Sequence, residues 1–90
     1  MEFDKHISMT EAEVRKEHGE PLQFGVYPAA DFTSSLHRPI YRRYSPRRLD
    51  TPIKEMCYEV EGFQLFFWLE NISQEWRVIG DARFPKGVVF

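Results

Sequence analysis

The chain has 90 residues, 42% of them hydrophobic and 16% aromatic, with a formal net charge of −2. That length fits one domain with a modest core, and the weak negative charge removes any global attraction to nucleic acid or to anionic membranes. The single cysteine, Cys57, excludes an internal disulfide, and no apolar run approaches a membrane-spanning length. The opening Met1-Glu2-Phe3-Asp4-Lys5-His6 has neither the apolar core nor the cleavage site of a signal peptide. A reduced, cytoplasmic location is the expectation, although a chain stripped of an export signal would read the same.

Residues 1–7 read as an arm or a short strand. The clearest local signal follows, in Met9-Thr10-Glu11-Ala12-Glu13-Val14-Arg15-Lys16-Glu17-His18-Gly19-Glu20-Pro21. Thr10 with Glu13 three residues later makes a capping box, and Met9 with Val14 makes a hydrophobic staple. Acids in the first turn and bases in the last suit the helix dipole. Gly19 stops the helix and Pro21 bars its continuation. A helix over residues 11–18 is only about 12 Å long and must be held by packing.

Met9-Thr10-x-x-x-Val14 leading into His18-Gly19-Glu20-Pro21 resembles the opening of SmpA/OmlA-like domains, small bacterial α+β units related in fold to β-lactamase-inhibitor-like proteins. The resemblance covers about 14 residues and, more loosely, the sheet. It implies helices leaning on an antiparallel sheet, with a scaffolding or binding role. The chain departs from the pattern in having no lipobox cysteine, one evident helix, and His18 where leucine is usual. A membrane-assembly role is therefore not carried over.

Leu22-Gln23-Phe24-Gly25-Val26-Tyr27 is predicted as the first strand, with Leu22, Phe24 and Val26 on one side, ended by Pro28. Residues 29–39 read as loop with room for one helical turn. Residues 40–44, between Pro39 and Pro46, read as a short strand, and residues 45–52 as loop. The densest part of the chain is residues 54–82. Met56, Tyr58 and Val60 alternate with Cys57, Glu59 and Glu61, and Gly62 supplies a tight turn. Phe63, Leu65, Phe67 and Leu69 then share one face, with Gln64, Phe66, Trp68 and Glu70 on the other. Apolar residues on both faces predict a strand covered on both sides, the second cover being a loop, the N-terminal segment or a partner. After a turn at Asn71-Ile72-Ser73-Gln74, Trp76, Val78 and Gly80 oppose Arg77, Ile79 and Asp81. The last three residues, Val88-Val89-Phe90, are expected to tuck onto the core or to pair in a dimer.

Residues 37–48 carry five arginines, two tyrosines and no acid; formal charge divides as −4 before, +5 within and −3 after this tract. Arginines interleaved with aromatics suit a surface that tracks phosphates and stacks bases. The commoner origin is a solvated edge whose arginines pair with flanking acids. Among functional readings an acidic protein partner is preferred, because it tolerates the acidic remainder of the chain. His6, His18 and His37 lack helical metal-site spacing, and isolated capping or surface histidines are the commoner case. Cys57 reads as a packing residue. Glu59 and Glu61 could perturb one another as a catalytic pair, but they read more simply as the wet face of a strand.

The sequence predicts one α+β domain over residues 1–90: a short N-terminal helix packed on an antiparallel sheet of four to five strands. The expected role is non-enzymatic, as a binding, adaptor or inhibitor-type protein. Candidate binding residues are Tyr41, Arg42, Arg43, Tyr44, Arg47 and Arg48 and, on the second sheet face, Phe66 and Trp68. No catalytic set, metal or cofactor is expected. The partner is another protein or a second copy; nucleic acid at residues 37–48 and a small enzyme with carboxylate chemistry are the alternatives.

Overall fold

A computed structural model of the chain describes residues 8–33 and 38–85. The arm expected at residues 1–7 and the tail contacts expected at residues 88–90 lie outside them. Helix α1 (Glu11–His18) opens on the capping box: Thr10 Oγ1 accepts the Glu13 N–H at 3.2 Å, and Glu13 accepts the Thr10 N–H at 2.9 Å. Gly19, at φ 82°, closes it by donating its N–H to the Arg15 carbonyl. Packing holds both ends. The Tyr58 hydroxyl donates to the Gly19 carbonyl at 2.8 Å, and Lys54 Nζ donates to Glu11 at 2.7 Å. Burial alone would raise the Glu11 pKa, but the hydrogen bonds from Lys54 and Arg15 outweigh it and hold the carboxyl below its usual range.

Four strands, β1 (Gln23–Pro28), β2 (Pro52–Val60), β3 (Phe63–Ile72) and β4 (Glu75–Pro85), form an antiparallel sheet in chain order. Between β1 and β2 run a 3-10 turn at Ala29–Asp31 and a second helix, α2 (Arg38–Tyr44). No helix among the described residues is long and apolar enough to cross a membrane.

Each face of the sheet has its own core. On the α1 side Val14 packs with Met56, Tyr58, Leu65, Phe67, Leu69 and Val78. On the other side Ile40 and Tyr44 of α2 pack with Ala29, Phe32, Ile53 and Trp68. The second face of β3 is covered as expected, but by an amphipathic helix of the same chain rather than by a loop, the N-terminal segment or a partner. The described sheet has four strands rather than five, because residues 40–44 are helical instead of extended. A strand would set Arg42 on the same face as Ile40 and Tyr44, whereas a helix brings that pair to the sheet and turns Arg42 to solvent; Pro39 sits in the first turn, where a missing N–H costs nothing.

Two local departures from the sequence pattern matter. The β3–β4 turn comprises only Ser73 and Gln74, because Asn71 and Ile72 are paired with Trp76 and Glu75. Both turn residues have positive φ, 54° and 69°, as a two-residue hairpin turn of this hand requires. Residues with a Cβ are disfavoured there by roughly 1–2 kcal/mol each. The double variant Ser73→Asn, Gln74→Gly is therefore expected to raise stability by about 1 kcal/mol, or roughly 4–8 °C in melting temperature. A thermal melt no higher than that of the parent chain would refute this account of the turn.

The second departure is a β-bulge. Trp68 pairs with Gly80 but Leu69 pairs with Val78, which leaves Ile79 as an extra residue on β4. Val78 therefore belongs to the α1-side core, whereas Ile79 and Ala82 pack into the other. Gly80, expected beside Trp76 and Val78, instead lies against Trp68 and Ile40, whose nearest atoms are each 3.7 Å from where its Cβ would stand.

A candidate arginine-lined binding surface

Helix α2 separates its residues cleanly. Ile40 and Tyr44 are buried, at 4% and 1% exposure, while Arg38, Arg42 and Arg43 are exposed on the opposite side. Arg38 and Arg42 are four apart and share a face. Arg42 and Arg43 also lie in the last turn, where cations suit the helix dipole. The chain then turns on Ser45 N–H to Tyr41 and Arg48 N–H to Tyr44 carbonyl bonds of 2.9 and 2.8 Å, with Arg47 and Arg48 exposed.

The anchor of this surface is the Tyr44–Glu70–Arg48 cluster. The Tyr44 hydroxyl donates to Glu70 Oε1 at 2.6 Å, and Arg48 Nη2 donates to Glu70 Oε2 at 2.8 Å. The Arg48 guanidinium also lies 5.2 Å from the centre of the Tyr44 ring, and that of Arg43 lies 5.9 Å from it. Burial, then the hydrogen bond to Glu70, pushes the Tyr44 pKa up to about 12. Beside the cluster is an open concavity of about 700 Å³, lined among the described residues by Arg38, Pro39, Arg42 and Arg43. Among the described residues, Arg48 of the tract forms an ion pair, with Glu70, and no carboxylate of a described residue pairs with Arg38, Arg42 or Arg47. The arrangement presents forked donors to solvent at a fixed spacing, a geometry suited to carboxylate or phosphate groups.

The structure distributes the candidate binding residues unevenly. Arg42, Arg43, Arg47 and Arg48 are exposed, and Tyr41 is half-buried beside them. Tyr44 and Trp68 are core residues instead, and Phe66 is half-buried. Trp68 donates its indole N–H to Glu55 at 2.7 Å and stacks on Phe66 with ring centres 6.1 Å apart. An outward-facing patch built on Phe66 and Trp68 is therefore replaced by a covered one, because α2 lies over that face. Arg38 and Glu70 were not singled out from the sequence. The i, i+4 spacing of Arg38 with Arg42 is the signal that points to Arg38; Glu70 joins the cluster through contacts 22 and 26 residues away in sequence, which no local pattern marks.

Three comparisons, with protein-family models, with curated proteins and with solved structures, found no match. The site's own chemistry therefore carries the functional argument.

The remaining candidates are dispersed. His18 packs against Phe67 and Tyr58, with ring centres 5.3 and 5.5 Å away, rather than standing at the surface. His6 and His37 lie outside the described residues, among which no group of three or more His, Cys, Asp or Glu is placed to hold a metal. Cys57 is half-buried, and burial followed by Glu55 and Glu59 pushes its thiol pKa up, away from the thiolate a nucleophile needs. Glu59 is exposed on β2, but Glu61 lies in the hairpin turn, so the two do not share a run of strand as expected.

Proposed function

We propose that this protein is a non-enzymatic binding module that receives an acidic protein surface on Arg38, Arg42, Arg43 and Arg47, with Tyr41 at the margin. The observation that carries this reading is the exposed arginine face around the concavity, mounted on a helix whose other side is anchored in the core. A base-stacking surface would need both tyrosines accessible, and Tyr44 is 1% exposed, which favours the acidic protein over nucleic acid. The likeness of residues 9–21 to SmpA/OmlA-like domains supports a binding role of the same general kind.

The test is fluorescence anisotropy with a labelled poly-glutamate peptide and, in parallel, a mixed-sequence single-stranded oligonucleotide. The peptide is expected to bind at low salt and to weaken as salt rises. At about 0.5–1 kcal/mol for each exposed contact, the triple variant Arg38→Gln, Arg42→Gln, Arg43→Gln should lose roughly 10–100-fold in affinity. No binding at low salt, or equal binding by the variant, removes the proposal. Tighter binding of the oligonucleotide than of the peptide transfers the surface to nucleic acid.

A further inference from the structure

The two edges of the sheet are unlike. The β4 edge is defended: Ser8 N–H donates to the Val78 carbonyl at 2.9 Å and Val78 N–H to the Met9 carbonyl at 2.8 Å. Beyond that cover, β4 bulges at Ile79 and carries Arg77, Asp81 and Arg83. Such devices are how natural sheets prevent edge pairing. Among the described residues, the β1 edge has none of them along Gln23–Val26: no charged residue of its own, no bulge and no proline before its last residue, Pro28, with the Arg15 guanidinium lying over the Phe24 ring at 5.5 Å. Four large apolar side chains crowd it, with Leu22 63%, Phe24 62%, Val26 49% and Tyr27 46% exposed.

The backbone on that edge is ordered by the existing ladder. Ala29 N–H donates to the Thr51 carbonyl, and Leu22 N–H, just before β1, donates to the Cys57 carbonyl. Alternation along an antiparallel pair then directs the polar groups of Gln23, Gly25 and Tyr27 toward β2. Those of Phe24 and Val26 point outward, free to pair.

We propose that β1 is a self-pairing edge, through which two copies of this chain join as antiparallel strands about a two-fold axis at Gly25. In that register Phe24 and Val26 of each copy exchange hydrogen bonds with Val26 and Phe24 of the other, so every outward N–H between Gln23 and Tyr27 is satisfied. The same register sets Phe24 beside Val26 of the second copy on one face, large against small. No charge opposes another, because Gln23–Pro28 carries none. Gly25 meets its own copy at a non-hydrogen-bonded position, where Cα atoms come within about 4.5 Å. Its face is already occupied by the Tyr27 ring, whose hydroxyl would collide with a Cβ there.

A heterologous strand could use the same edge, but the closed two-fold arrangement needs nothing that this chain lacks. At roughly 150–250 Å² for a large apolar side chain, the exposed fractions amount to about 400 Å² in each copy, half of a standard interface side. The shared ladder and neighbouring backbone add to that area, and the result is a weak dimer with a dissociation constant on the order of 100 μM.

Sedimentation velocity on the full chain from about 1 μM to about 1 mM tests this, with amide hydrogen exchange across the same range. A monomer–dimer equilibrium is expected, with exchange at Phe24 and Val26 slowing as concentration rises while Gly25 and Tyr27 stay protected throughout. Val26→Pro removes an outward donor and no bond to β2, and it should weaken association at least about tenfold. Phe24→Lys, which leaves the backbone unaltered, should do the same. A chain that stays monomeric to 1 mM, or a dimer that both folded variants leave intact, overturns the proposal.

Discussion

Replacing Phe67 with alanine is expected to remove about 3–5 kcal/mol of stability, close to the whole reserve of a domain this small. Phe67 is fully buried at the centre of the α1-side core. Its ring meets Tyr58 edge-on at 5.8 Å and His18 at 5.3 Å, and its β2 partner is Met56. Truncation loses the transfer free energy of the ring and opens a cavity that a paired central strand cannot close. The melting temperature should fall by roughly 15–30 °C, and urea unfolding should show a lower midpoint with an unchanged slope. A loss under about 1 kcal/mol would mean that this face is not the sealed core described above.

The second large effect belongs to Tyr44, which fastens the arginine-bearing helix to the sheet. Tyr44→Phe keeps the ring but deletes the hydroxyl that donates to Glu70, a hydrogen bond to a charged group worth about 1.5–3 kcal/mol. Tyr44→Ala also empties the site on β3 and should cost about 3–5 kcal/mol. The same contact makes stability depend on pH in the alkaline range. The hydroxyl is stabilised in its neutral form, with its pKa raised from 10.0 to about 12 by burial and by Glu70. A raised folded-state pKa means that the contribution is complete below pH 10 and is lost as pH rises from 10 through about 12. Thermal melts should show this decline in the parent chain and a shallower one in Tyr44→Phe. Equal slopes in the two proteins would show that Tyr44 is not the titrating group.

These two residues stood very differently in the sequence. Phe67 could be assigned to a core from the alternation of Phe63, Leu65, Phe67 and Leu69, and Leu65, Phe67 and Leu69 are buried together on one face. Tyr44 lies in a tract whose charge suggests a solvent-facing surface, yet its ring is buried. The competing pattern, Ile40 with Tyr44 and Arg38 with Arg42, spans barely two turns between prolines. That is too short for helical periodicity to prevail over the extended preference of tyrosine and isoleucine. Only the apolar second face of β3, with Trp68 and half-buried Phe66 needing cover, makes the helix the better state.

The β4 bulge was illegible for a related reason. Strict alternation puts Trp76, Val78 and Gly80 together, and one extra residue at Ile79 reverses the pattern beyond it. Nothing local marks the position. The reversal allows Val78 to fill the α1-side core while Ile79 and Ala82 fill the other, a demand that arises only when both helices are in place.

What the sequence determined by itself was whatever neighbours along the chain decide. The Thr10–Glu13 box, the Gly19 stop and three strands within residues 54–82, which extend further at their ends in the structure, follow from capping, turn chemistry and alternation within a few residues. Tertiary structure decided the rest: that residues 38–44 coil, that their arginines face outward around an open concavity, and that, among the described residues, no strand pairs with the outer edge of β1. Each of these depends on which surface of a distant segment remains to be covered, and that becomes defined only once the sheet has formed.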